Sequence, residues 1–99
     1  MTTKTSIEKN MTLSASEFAK SLAAFAGADV VIVGGRATIP LGHDGYMAEI
    51  IYHPLPLRRV GGLLELPQAR ISIILPSVAT AIQSDFLRRF DIAFQRGGG

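Results

Sequence analysis

Apolar and polar positions change period along this chain, and the changes mark its elements. In SASEFAKSLAAFAG, Phe18, Leu22 and Phe25 recur at i, i+4 and i+7, which is one face of a helix. Ser14 and Glu17 stand at capping-box spacing ahead of that face, hydroxyl first and carboxylate three residues later. Gly27 follows where a helix end favours positive φ. The pattern predicts a helix over 15–26, short enough to need a surface to dock on.

Downstream the pattern becomes that of strands. DVVIVGGRATIPL places two β-rich runs on either side of Gly34-Gly35, which predicts a hairpin with strands near 29–33 and 36–41. Pro40 suits the end of an edge strand. GHDGY reads as a turn and MAEIIY as a short strand. In HPLPLRRVGG, Pro54 and Pro56 alternate with Leu55 and Leu57, which predicts an extended, poorly paired, protruding loop. LLELP and ARISIILP form two further β-rich runs with a bend expected at Pro67-Gln68. Ile71, Ile73 and Leu75 alternate with Arg70, Ser72 and Ile74, as in a buried strand.

The two ends carry weaker signals. Residues 1–12 have no apolar period and read as an extended N-terminal arm, mobile unless a neighbour orders it. Near the other end, Ile82, Phe86 and Phe90 have helical spacing, whereas Phe90, Ile92 and Phe94 have strand spacing. Divided between the two, the segment gives a short helix near 78–88, a strand near 89–95 and a glycine tail at 97–99. The expected fold class is therefore α+β, mainly β. A short N-terminal helix leads into a small antiparallel sheet or barrel with a long protruding loop, and residues 13–96 form the single domain.

Composition narrows the role. Charged residues make up 18% of the chain, below the roughly 25% of an average soluble domain. Together with 10 Gly and 5 Pro this suggests a turn-rich molecule that leaves some apolar surface for a partner to cover. The net charge is only +2, and seven of the ten basic residues are Arg, with pairs at Arg58-Arg59 and Arg88-Arg89. Arginine is favoured at interfaces because its planar fork pairs with carboxylates and stacks on aromatic rings. No run of Lys and Arg is dense enough to track a phosphate backbone.

Candidate chemistry is sparse. The absence of cysteine excludes a disulfide framework, a thiolate metal site and a Cys nucleophile. His43 and His53 are the only histidines, too few for a metal centre without help from Asp44. Asp29, Glu49, Glu65 and Asp85 are scattered and have ordinary structural roles open to them, and no nucleophile elbow is present. VIVGGR lacks the spacing of a dinucleotide loop. The terminal RGGG resembles the diglycine ends of ubiquitin-like sulfur carriers, but there the hairpin precedes the helix. The expectation is thus no enzyme, no cofactor, no metal and no small-molecule substrate. The N-terminus has no apolar core of a signal peptide and no stretch reaches about 18 apolar residues, so synthesis in the cytoplasm without membrane insertion is expected.

Two resemblances add to this. SASEF followed by VVIVGGRATIPL is similar to the opening of Phd/YefM-type antitoxins, which implies a DNA-binding regulator, although the helix-to-hairpin interval is shorter here. The layout of residues 14–96 resembles the small head–tail attachment or connector (neck) proteins of tailed phages and prophages. In this sequence that layout comprises a short helix, the VVIVGGRATIPL strand–turn–strand, a projecting loop, the ARISIILPS strand and a closing strand. This second resemblance covers more of the chain. It implies a structural virion subunit in a homo-oligomeric ring, bound to other virion proteins, with non-specific DNA contact where Arg groups line a channel. The interface expected on that basis is Tyr52, Pro54, Leu55, Pro56, Leu57, Arg58 and Arg59, with the two leucines as anchors and the two arginines at the rim.

Overall fold

The computed structural model describes residues 4–42 and 45–98. The fold is α+β and mainly β, with the element order β1 (Thr5–Thr12), α1 (Ala15–Ala26), β2 (Arg36–Pro40), β3 (Met47–Val60), β4 (Leu64–Leu75) and α2 (Thr80–Gly98). The strands form one open antiparallel sheet in the order β1-β4-β3-β2, not a barrel.

In the body of the sheet the inward-facing residues are the more buried ones, and both helices pack on the same sheet face. Ala37 and Ile39 of β2, Ala48 and Ile50 of β3, and Ala69, Ile71, Ile73 and Leu75 of β4 are all buried there. Phe18 and Leu22 of α1 and Phe86, Phe90 and Phe94 of α2 cover them. The five phenylalanines and Tyr52 interlock. Phe25 meets Phe86 and Phe90 edge-on at 5.2 and 5.7 Å, Phe90 stacks on Phe94 at 4.1 Å, and Phe18 lies 5.1 Å from Tyr52. Aromatic pairs in these geometries add to the large area that each ring buries.

Helix α1 has the expected bounds. The Ser14 hydroxyl accepts from the Glu17 N–H at 3.2 Å and the Glu17 carboxylate accepts from the Ser14 N–H at 2.9 Å. Gly27 closes the helix at φ 74. Elsewhere the sequence-based expectations need correction. Residues 5–12 are not a loose arm but strand β1, paired with β4 from Thr5↔Leu75 to Thr12↔Gln68. Its inward residues are Thr5, Ile7, Lys9 and Met11, and Lys9 is neutralised by Asp91 of α2 at 3.1 Å. The short helix and closing strand near 78–95 are one helix. Phe86, Phe90 and Phe94 at i, i+4 and i+8 bury three rings together, whereas Ile92, needed inside by a strand, is exposed. The expected glycine tail therefore falls partly within α2, which extends to Gly98; Gly99 lies outside the described residues. The bend at Pro67-Gln68 is also absent, since β4 runs unbroken through it.

The Gly34-Gly35 turn forms as expected, with φ 60 and 78, and Val33 and Arg36 exchange two 3.0 Å hydrogen bonds across it. The strand expected at 29–33 does not form, because beyond Val33 nothing pairs with it. Val30 and Ile32 pack against the core while Val31 and Val33 face solvent.

The backbone alternation explains how the sheet tolerates its prolines. Tyr52 N–H donates to Gly35 and Leu41 N–H to Tyr46, so the even residues of β3 face β2 with their backbone groups and the odd ones face β4. Pro54 continues this even series beyond the end of β2, where a missing N–H disturbs no bond to β4. Pro67 occupies a site that would donate to Leu13. In its place the Tyr52 hydroxyl reaches the Leu13 carbonyl at 3.5 Å, while Leu13 N–H still donates to Pro67 at 3.0 Å.

The two turn glycines make a matched test. A Cβ on Gly35 would lie 2.7 Å from the Tyr52 carbonyl oxygen, whereas one on Gly34 would meet nothing within 4 Å. Gly34→Ala should cost about 1 kcal/mol from positive φ alone. Gly35→Ala should cost at least about 2 kcal/mol, because backbone must also move. Urea unfolding of the two variants checks the difference.

Candidate interaction surface on the projecting hairpin

Strands β3 and β4 outlast their neighbours. Strand β2 pairs with β3 only as far as Ile51, and β1 pairs with β4 only from Gln68 onward. Residues 55–67 therefore extend as a two-stranded arm with no third strand beside it, closed by Gly61, Gly62 and Leu63. Six residues of β3, from Leu55 to Val60, make the arm about 20 Å long at about 3.3 Å per residue. The molecule is correspondingly elongated, 49 × 27 × 24 Å. The segment that the sequence suggested as an extended, poorly paired, protruding loop does protrude, but as paired β-structure. Its outward side is where Pro54 can sit without breaking the ladder.

A β-bulge lies between Leu55 and Arg58. Before it Leu55 pairs with Gln68; after it Arg58 pairs with Leu66, Arg59 with Glu65 and Val60 with Leu64. One extra residue on β3 is taken up here, at Pro56-Leu57. The turn needs positive φ at Gly61 and Gly62, which are at 64 and 77. Beyond them Leu63 is 98% exposed, and Leu57, Val60 and Leu64 are also exposed. Four large aliphatic side chains are thus exposed on one thin arm, with Val60 and Leu64 directly across from each other.

The expected interface residues separate into two groups. Pro54, Pro56, Leu57, Arg58 and Arg59 are exposed on the arm or at its base, and Leu55 is half-buried. Arg59 lies 3.8 Å from Glu65, and both remain solvent-accessible. Tyr52 belongs to the body: its ring packs on Phe18 and its hydroxyl serves Leu13. Val60, Leu63 and Leu64 are the residues that sequence reasoning missed. The usable signal is the hairpin turn itself, VGGL between β-rich runs, which puts its flanking residues at a tip.

A second apolar surface lies between the helices. Ser21, Ala24 and Phe25 of α1 and Ile92 and Ala93 of α2 line a groove of about 780 Å³, with Glu17, Lys20 and Arg89 at its edge. Arg89 is well anchored. It pairs with Asp85 at 2.9 Å, reaches the Leu41 carbonyl at 3.4 Å, and lies 6.0 Å from the Phe25 and Phe86 ring centres. Asp85 also receives Arg88 at 2.8 Å. Hydrogen bonds from Arg88 first, and from Arg89 second, hold its carboxyl below the usual carboxylate range.

The candidate chemical groups are dispersed. His53 is exposed on β3, while His43 and Asp44 lie outside the described residues. Among the described residues no three His, Cys, Asp or Glu side chains gather as a metal would require. Glu49 pairs with Arg36 at 2.8 Å, Glu65 approaches Arg59, and Asp29 is exposed. No described helix is long and apolar enough to cross a membrane. Comparison with protein-family models, characterised proteins and solved structures finds no match.

The depressed Asp85 carboxyl gives a signed prediction. A group whose folded pKa lies below its unfolded one contributes stability above the unfolded value and loses it as pH falls through the folded value. Asp85 should titrate below an ordinary aspartate by NMR, and Arg88→Ala should move it back towards the usual value.

Proposed function

We propose that this chain is a non-enzymatic assembly subunit, and that its setting is a ring joining head to tail in a phage-like particle. The observation that carries the proposal is the arm, a two-stranded projection whose exposed residues include Leu57, Val60, Leu63 and Leu64. Such side chains gain little from water and much from a complementary surface. Arm and receptor would be different patches of the molecule, as in a heterologous contact that closes into a ring. The groove between α1 and α2 suits the receptor role, being apolar at its floor and charged at its edge. Arg58 and Arg59 would then lie at the rim of the contact. In a ring that encloses DNA they would meet phosphates without reading sequence.

The antitoxin resemblance has less to rest on. It concerns the opening of the chain, and of the strand that it expects at 29–33 only Val33 takes part in pairing.

Size-exclusion chromatography with light scattering tests the proposal. The chain should form a higher-order species whose mass rises with concentration. The double variant Leu57→Asp, Leu63→Asp should weaken assembly at least about tenfold, as expected for anchor residues. Because both side chains are exposed, unfolding stability should stay within about 0.5 kcal/mol. A monomer at millimolar concentration, or unaltered assembly of the double variant, would overturn it.

A further inference from the structure

The sheet has a guarded edge and an unguarded one. At β2, Leu41 and Gly35 face β3 with their backbone groups, so Arg36, Thr38 and Pro40 face outward. Arg36 is already bonded to Val33, and Pro40 has no N–H, which leaves Thr38 the only outward donor on that strand. Beyond β2, Pro54 removes a further outward donor from β3. Blunting an edge with proline and tight turns is how sheets avoid pairing with other chains.

Strand β1 has none of these devices. Leu13 N–H bonds to Pro67, which fixes the alternation: residues 5, 7, 9 and 11 face β4, and Ser6, Glu8, Asn10 and Thr12 point their N–H and C=O groups away from the sheet. The strand is eight residues long, contains no proline or glycine and pairs with β4 without a register shift. Among the described residues none of these four residues has a backbone partner on its outer side. Its one inward charge, Lys9, is neutralised by Asp91.

We propose that β1 pairs edge to edge with β1 of a second copy, antiparallel about a twofold axis, joining two four-stranded sheets into one of eight strands. The occupant follows from how the edge matches itself. With Lys9 on the axis, Ser6 stands opposite Thr12 of the other copy and Glu8 opposite Asn10. All four outward residues of each copy then exchange both of their hydrogen bonds. Ile7 lies opposite Met11 on the helix-bearing face, and hydroxyl, carboxylate and amide groups face one another on the open face. The two Lys9 side chains meet at the axis, each held by its own Asp91. Shifting the axis to Glu8 would set two carboxylates directly opposite, and shifting it to Asn10 would leave Ser6 unpaired. This isologous contact is separate from the arm and is compatible with a ring built of dimers.

Residue-resolved amide exchange of the full chain, measured from micromolar to millimolar concentration, tests this. Ile7, Lys9 and Met11 should be protected at every concentration. Ser6, Glu8, Asn10 and Thr12 should gain about tenfold protection or more as the dimer forms. Asn10→Pro removes only an outward donor and should abolish that gain. Asn10→Glu leaves the backbone alone but sets a second carboxylate opposite Glu8, once on each side of the axis, and should weaken the dimer several-fold. The arm variant Leu57→Asp, Leu63→Asp should keep both the gain and a dimeric mass even where larger assemblies are lost. Fast exchange of the four outward amides at millimolar concentration, dimers unaffected by both Asn10 variants, or loss of the gain in the arm variant would each overturn the pairing.

Discussion

The structure depends on burying one face of a single sheet. Two helices supply the other layer, and their aromatic side chains fill the space between. A two-layer arrangement in a chain of this size draws on every strand: β2, β3 and β4 give alternate side chains to one interior, and β1 adds Met11 at its margin. The capped short helix α1 persists because Phe18 and Leu22 dock on that face, and α2 is continuous because successive turns of it deliver phenylalanine to the same place.

One-sided burial fixes the direction of side chains, and antiparallel pairing then fixes the direction of every backbone group in the sheet plane. The two alternations together decide where proline is harmless. Pro40 and Pro54 occupy positions whose missing donors would have pointed away from the sheet, and the gap left by Pro67 is met by the Tyr52 hydroxyl. The same geometry leaves a complete row of donors and acceptors on the far side of β1. Assembly by the arm would rest on apolar contact, whereas assembly by β1 would rest on backbone hydrogen bonds, so the two would respond differently to side-chain substitution.

How legible each element is in the sequence follows from how local its cause is. Helix α1 and the Gly34-Gly35 turn are specified by neighbours in the chain, through a capping box, a C-cap glycine and two residues at positive φ. Strand β1 is hidden because Lys9 interrupts its apolar side, and the carboxylate that neutralises it lies far along the chain, at Asp91. The arm reads as a loop because two prolines at alternate positions look hostile to pairing, and only the partner strand shows which side they face. For residues 86–94 both periods fit, and the rings of α1 decide between them by favouring Phe86, Phe90 and Phe94 on one side. Of the candidate surface, the arginines and Leu57 are visible from composition and spacing. The tip leucines become significant only once β3 and β4 are seen to outlast their neighbours, and Tyr52 serves the interior.

The bulge at Pro56-Leu57 has a bearing on how such a molecule can diversify. In regular pairing an even position of β3 shares the side of Ile50, and the extra residue breaks that parity for every position beyond it. With it, Val60 lies across from Leu64 and Arg59 across from Glu65, so the greasy and the charged flanks of the tip are exchanged relative to the trunk. Because β4 alternates without a break through this point, loss of the codon would smooth the strand and still leave Val60 opposite Leu64 and Arg59 opposite Glu65, so a lineage could bend or straighten its arm without altering which flank is greasy.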